Sequence, residues 1–307
     1  MKGSAWVSWL TLLALAAYIV YDQQQGISTI TSGEVLEPVT TEESQPPFVA
    51  ASYDLPAKIS FAGEETPLQL PDVRERLDKE LQINIYLQSS TLFLIKRAHR
   101  WLPRIQEILK SNDIPDDFKY LPLIESGLIN SRSPKDAVGY WQILEDSGKE
   151  LGLEINQEVD QRYDPIKATA AACKYLRKSY ERFGNWTLVA ASYNCGVAGL
   201  NRVINEQKVS SYYDLHLNDD TSRYVFRLLA IKEIFEHASK YGFKLKDEHL
   251  YQPEEHKMVE VSESIPDLVA FAQAQGTNYK LLKRHNPWLR QNKLTVKKGK
   301  RYQIAIP

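Results

Sequence analysis

Three short clusters between Leu121 and Gly199 carry the side chains best suited to breaking a bond: Ile124-Glu125-Ser126-Gly127, Gly139-Tyr140-Trp141-Gln142 and Ser192-Tyr193-Asn194-Cys195-Gly196. Glu125 stands among Leu121, Leu123, Ile124 and Leu128. A carboxyl in such company keeps its proton near neutral pH, because desolvation disfavours the anion. A protonated Glu can donate to a glycosidic oxygen, the opening step of acid-catalysed glycoside cleavage. Gly139 permits close backbone approach, Trp141 supplies either an aromatic wall or a core residue, and Gln142 offers a donor and an acceptor to hydroxyl and acetamido groups. Tyr193 and Asn194 end an apolar helix with Gly196 at its C-cap, where they would present a phenol and an amide at the mouth of the domain. Each cluster also has a plain structural explanation: a solvated Glu, a turn before a core aromatic, a capping Asn. Together they point to a polysaccharide groove that works with a single acid.

The elements that must position these groups are helical. Ile95, Ala98, Leu102, Ile105 and Leu109 recur at spacings of three and four and define one apolar face. Asn112-Asp113-Ile114-Pro115 breaks that helix, and Pro115-Asp116-Asp117 opens the next with acids in its first turn. Tyr120, Leu121, Ile124 and Glu125 ride on this second helix. Further helices are expected at 164–183, 186–194 and 221–240, and strand-like alternation is scarce before the tail. After about residue 255, Val259-Glu260-Val261 reads as a strand, Ile265 to Gln275 and Tyr279 to His285 as two helices, and Tyr302 to Ile306 as a closing strand. The expected architecture is a mainly α protein with a small βααβ module at its C-terminus.

The flanks bound the setting. Lys2 precedes an apolar run from Ala5 to Val20. That run is short for a spanning helix of about 20 residues, yet longer than a signal-peptide core of about 7–15. Residues 1–21 are thus an uncleaved anchor or a removed signal peptide, and either exports the body of the chain. No cysteine lies near residue 20, which excludes lipid attachment there. Residues 22–70, rich in Pro, Ser, Thr, Glu and Gln, read as a disordered tether. The 38 basic and 39 acidic residues nearly cancel, so no global field argues for nucleic acid. From Leu268 onward, however, nine Lys and Arg stand without one Asp or Glu, and this tail would favour a polyanionic surface. Cys173 and Cys195 are too few for a disulfide framework or a metal cluster. Cys173 lies on an apolar stripe as a packed thiol, while a Cys173–Cys195 bridge is chemically allowed outside the cytoplasm.

The order Glu-Ser, Gly-x-x-Gln and Tyr-Asn-x-Gly resembles the lytic transglycosylases of the soluble-lytic-transglycosylase type, which cleave bacterial peptidoglycan. The likeness covers about residues 72–240 and includes Tyr120-Leu121-Pro122-Leu123-Ile124-Glu125-Ser126, Asp160-x-Arg162-x-Asp164-Pro165 and Thr221-Ser222-Arg223-Tyr224-Val225. The run ahead of Glu125 and the C-terminal module resemble the membrane-bound transglycosylase D branch. This resemblance implies a lysozyme-like, all-helical catalytic domain over 71–250 with Glu125 as the sole catalytic acid and base. Ser133, Gln142, Tyr193, Asn194, Asp220 and Tyr224 fall at positions that line the family's saccharide groove. Asp136 replaces a small residue and would add a second carboxylate near the site. Asp220 replaces a Glu and is one methylene shorter.

Residues 255–307 resemble a LysM domain through Gly276, Leu281-Leu282, Asn286-Pro287-x-Leu289 and Ile304-x-Ile306-Pro307, with Glu263-Ser264-Ile265-Pro266 in place of the usual Gly-Asp-Thr-Leu. The module would bind glycan or serve as a structural lid. The resemblance further implies cleavage of the bond between N-acetylmuramic acid and N-acetylglucosamine with 1,6-anhydro ends, without metal or cofactor, in the periplasm or cell envelope. The implied partners are peptidoglycan strands, the inner membrane through the N-terminal segment, and cell-wall synthases or amidases, but no nucleic acid. A goose-type-lysozyme-like hydrolase, with Asp136 or Asp220 as base, and a non-catalytic wall-binding scaffold are the alternatives.

Overall fold

A computed structural model describes residues 51–307, so the expected anchor or signal segment and the first part of the expected tether lie outside the described residues. Among the described residues no helix is long and apolar enough to cross a membrane.

The folded chain begins earlier than its composition suggests. Strands β1 (Ser60–Phe61) and β2 (Glu64–Glu65) pair antiparallel. Phe61 is fully buried, with its ring edge-on to Phe118 at 5.1 Å. Both oxygens of Glu64 accept backbone N–H groups, from Trp186 at 2.6 Å and Thr187 at 2.8 Å, at the start of a later helix. The tether expected over 22–70 is therefore corrected: residues 52–70 belong to the helical domain. Composition misled here because a few apolar anchors (Ile59, Phe61, Leu68) and one Glu satisfying a helix N-terminus outweigh the Pro and Ser around them.

Helices α1 (Pro71–Tyr86) and α2 (Gln88–Ser111) follow. The chain leaves α2 at Asn112, passes Asp113 at positive φ, and enters a short 3₁₀ turn, Asp116–Tyr120, that runs into α3 (Leu121–Ser126). After α4 (Glu145–Glu150) come α5 (Pro165–Phe183), α6 (Trp186–Cys195), α7 (Val197–Gln207) and α8 (Asp219–Glu236). Side-chain oxygens cap three of them: Asp164 before α5, Asn185 before α6 and Asn218 before α8. Helix α8 buries Val225, Phe226, Leu228, Leu229, Ala230, Ile231 and Ile234, so it is the central helix. It packs on α1, where Arg223 pairs with the buried carboxylate of Glu80 at 2.5 Å.

The C-terminal module is the βααβ unit expected. Strand β3 (Lys257–Val261) pairs antiparallel with β4 (Tyr302–Ile306) in the register Val259↔Ile304, with α9 (Leu268–Ala274) and α10 (Tyr279–His285) between them in sequence. Its core takes in one residue from the helical domain, Val159, which is 1% exposed. Val159 and Leu289 form an antiparallel bridge, flanked by Asp160 N–H to the Trp288 carbonyl and Arg290 N–H to the Glu158 carbonyl. Charge reinforces the seam: Lys293 meets Glu158 at 3.3 Å and Lys300 meets Glu154 at 2.6 Å, while Arg284 pairs with Glu254 and Arg301 with Glu260. Part of the positive charge expected to face a polyanion is thus spent inside the chain. Cys173 and Cys195 are both free, and burial pushes the Cys173 thiol up to about 11.

Candidate active site

Glu125 occupies the last turn of α3, a helix with Leu121, Pro122 and Leu123 buried on its inner side. The chain turns at once through Gly127 and Leu128, both at positive φ, so the carboxyl stands at an abrupt end of the helix. Two arginines fix that end: Arg97 Nε donates to the Gly127 carbonyl at 2.7 Å and Arg227 Nη2 to the Ile124 carbonyl at 2.8 Å. Glu125 itself is half-buried and accepts from Tyr224 Oη at 2.5 Å. Burial raises its pKa above 4.5, opposed by the Tyr224 hydrogen bond and by the nearby charge of Arg227. Tyr224 is 1% exposed, and its own ionisation is pushed far up, first by burial and then by the Glu125 charge. The phenol therefore stays a donor.

Tyr193, on α6, is brought beside the same acid: burial first, then the Glu125 charge, raises its pKa well above 10. Its hydroxyl donates to the Trp141 carbonyl at 2.7 Å. The phenol is thus a strut for the loop as well as a wall of the site, which differs from a group presented freely at the mouth. Trp141 is a core residue, fully buried, with Nε1 donating to Thr169 Oγ1 at 2.8 Å.

Gln142 sits at positive φ, and its Nε2 donates back to the Gly139 carbonyl at 2.8 Å. Its donor half is spent inside the loop, so of the donor and acceptor expected of it only the acceptor Oε1 is left for a ligand. Asn194 is the converse. Its Oδ1 accepts from buried Thr221 Oγ1 at 2.8 Å, and the side chain is otherwise exposed, leaving Nδ2 as donor. Ser133 Oγ accepts the Ala137 N–H at 3.0 Å and shapes the turn of the loop that carries Gln142.

Two carboxylates expected near the site stand at its margins. Asp220 is exposed in the first turn of α8, one helical turn before Tyr224, and makes no contact with Glu125 among the described residues. Asp136 is a surface residue whose Oδ1 takes Arg132 Nε at 2.7 Å; that bond holds its pKa below the ordinary value.

Sequence reasoning did not assign a role to the props of the 131–143 loop. Arg162 and Asp160 form a buried two-bond pair, Nη2–Oδ2 at 2.7 Å and Nε–Oδ1 at 3.0 Å. The other guanidinium nitrogen donates to the carbonyls of Asp136 and Ile143, each at 3.2 Å. Gly139 lies so near the Arg162 backbone that a Cβ there would come within 2.0 Å of its carbonyl oxygen. Ser126 Oγ then joins the loop to α3 by donating to the Tyr140 carbonyl at 2.9 Å. The Asp-x-Arg-x-Asp-Pro spacing was the signal for this scaffold.

The helical domain thus brings a propped loop, through Ser126, to the helix that carries one desolvated carboxyl. Residues 104–215 match the Transglycosylase SLT domain, and residues 257–307 match the Soluble lytic transglycosylase C-terminal LysM-like domain. The chain therefore carries a segment matching the transglycosylase SLT domain, followed by one matching a LysM-like module. It is 29% identical over 195 residues to the membrane-bound lytic murein transglycosylase D of Escherichia coli strain K12, an alignment covering 61% of this chain and 42% of that protein. A putative tributyltin chloride resistance protein of Alteromonas sp. strain M-1 is 31% identical over 126 residues, covering 40% of this chain and 61% of that one. The chain thus spans less than half the length of its Escherichia coli relative. Among solved structures, the 70 kDa soluble lytic transglycosylase of Escherichia coli aligns with a TM-score of 0.38 and 19% identity, covering 50% of this chain and 26% of that one.

Proposed function

We propose that the protein is a peptidoglycan lytic transglycosylase of the cell envelope that cleaves between N-acetylmuramic acid and N-acetylglucosamine and leaves 1,6-anhydro ends. The observation that carries this reading is the Glu125–Tyr224 pair: one carboxyl whose pKa burial raises, held by one permanent donor. Protonated Glu125 gives its proton to the linking oxygen as the C1–O bond breaks. The substrate's own acetamido group shields the oxocarbenium-like centre, the substrate-assisted exception to two-carboxylate chemistry. Glu125, now ionised and steadied by Tyr224 and Arg227, takes the proton of the C6 hydroxyl as that oxygen closes on C1. The proton count balances, and water is not consumed. Asn194 Nδ2 and Gln142 Oε1 are complementary to the carbonyl and N–H of an acetamido group.

Hydrolysis with inversion would need a second carboxylate about 6.5–9.5 Å away to activate water. Asp136 fits that role poorly, because a carboxylate held ionised by Arg132 is a weak base. The test is mass spectrometry of fragments released from purified sacculi by the full chain. Anhydro ends from the wild type and none from Glu125→Gln are expected. Reducing ends would replace this reading with a hydrolase, and binding without turnover would replace it with a wall-binding scaffold.

A further inference from the structure

Between the helical domain and the C-terminal module lies a cavity of about 860 Å³, to which both contribute lining. Its size falls within the roughly 300–1,000 Å³ of small-ligand sites. From the helical side come the rings of Trp101 and Tyr140, edge-on at 5.3 Å; from the module comes Trp288, with Lys167 Nζ 5.9 Å from its ring centre. Such apolar faces suit the C–H face of a pyranose.

The charges of the lining are unevenly engaged. Glu254 alone serves Arg100 at 3.1 Å, Arg284, and His285 at 3.1 Å. Asp164, on which the charges of Lys167 and Arg104 act, caps α5, accepting the N–H groups of Ile166 and Lys167 at 2.9 and 3.1 Å. Arg104 and Lys167 thus have no ion pair among the described residues, although both line the cavity. Glu255, exposed on the module side of the lining and also without an ion pair there, is suited to accept from hydroxyls.

We infer that this cavity is a second saccharide site, distinct from the Glu125 groove, which takes an amino sugar bearing a carboxylate by ion-pairing with Arg104 and Lys167 and stacking against Trp101. It rests on the reading of the substrate as peptidoglycan, whose muramic acid residues carry such a carboxylate wherever the stem peptide has been removed. The site also adjoins the chemistry. The Tyr140 ring lines the cavity while the Tyr140 carbonyl holds Ser126, the neighbour of Glu125.

The test is calorimetric titration of the full chain with the disaccharide N-acetylglucosaminyl-N-acetylmuramic acid, with di-N-acetylchitobiose as the uncharged control. The acidic disaccharide should bind the wild type at least tenfold more tightly than the control. Arg104→Gln with Lys167→Gln should erase that preference, Arg104→Lys should keep most of it, and Asn194→Ala should leave it intact. Equal affinity for the two sugars, or a preference lost in Asn194→Ala but kept in the double variant, would overturn the inference. Release of anhydro fragments from sacculi is measured in parallel. Its absence from the wild type would sink the proposed function, whereas intact release without the sugar preference would sink the seam site alone.

Discussion

Tyr224 Oη and Glu125 Oε1 meet at 2.5 Å across two helices, α8 and α3, which the sequence separates by nearly a hundred positions. The phenol is wholly buried, so it persists in both protonation states of the acid: it steadies the carboxylate and does not take its proton. In the proposed reaction this pairing would let Glu125 act as acid and then as base.

Removing the donor should show in both rate and pH profile. A hydrogen bond to a charged group contributes about 1.5–3 kcal/mol, so Tyr224→Phe should slow turnover of sacculi roughly 10- to 100-fold. Because the Tyr224 bond lowers the Glu125 pKa, its loss should move the alkaline limb of the activity profile to higher pH. An unmoved limb would mean that another group sets it.

The raised pKa of Glu125 also makes the acid a burden on the fold. The folded state holds the proton more tightly than the unfolded chain. The stability from this linkage is fully present below the ordinary value of 4.5 and is lost as pH rises through the higher folded pKa. Glu125→Gln should therefore melt at a higher temperature than the wild type at pH 7, and the gap should close as pH falls below 4.5. Thermal melts at a series of pH values measure this directly.

The Asp160–Arg162 pair should matter out of proportion to its distance from the chemistry. Breaking one side of a buried pair costs about 3–5 kcal/mol, so Asp160→Asn should lower the urea midpoint and loosen the 131–143 loop. Gly139→Ala should cost about 2–4 kcal/mol, from strain at positive φ together with overpacking against the Arg162 carbonyl. Amide exchange across residues 131–143 is the matching local measurement.

Residues 52–70 should prove indispensable to the domain. Phe61→Ala should cost about 3–5 kcal/mol as a buried aromatic truncation. A chain starting at residue 71 loses Phe61 and also the Glu64 carboxylate that satisfies the start of α6, and its melting temperature should fall further than that of Phe61→Ala.

What sequence disclosed depended on how local the cause was. The stripe from Ile95 to Leu109, the break at Asn112 to Pro115 and the two strands of the module follow from periodicity and turn chemistry within a few residues, and each is where it was expected. The desolvation of Glu125 was legible because its apolar neighbours are sequence neighbours. Tyr224 was placed in the groove by family likeness alone, since its bond to Glu125 spans a distant pair of helices. The Gln142 amide had its donor turned inward by a positive φ that no residue type announced. Helix α7 went unread although Leu200, Val203 and Ile204 recur at helical spacing and pack on the core. Residues 52–70 were hidden for the opposite reason: a polar composition diluted a few decisive anchors.

Val159 lends the module a piece of its core, and that loan has a geometric consequence. A LysM-like unit on a slack leash would let the enzyme graze wherever its grip happened to land. Here the hydrophobic graft and the bridge to Leu289 fix the unit against the helical domain, so under the proposed function a strand held by the module would meet Glu125 at a set distance. The docked pair would serve as a ruler along the glycan.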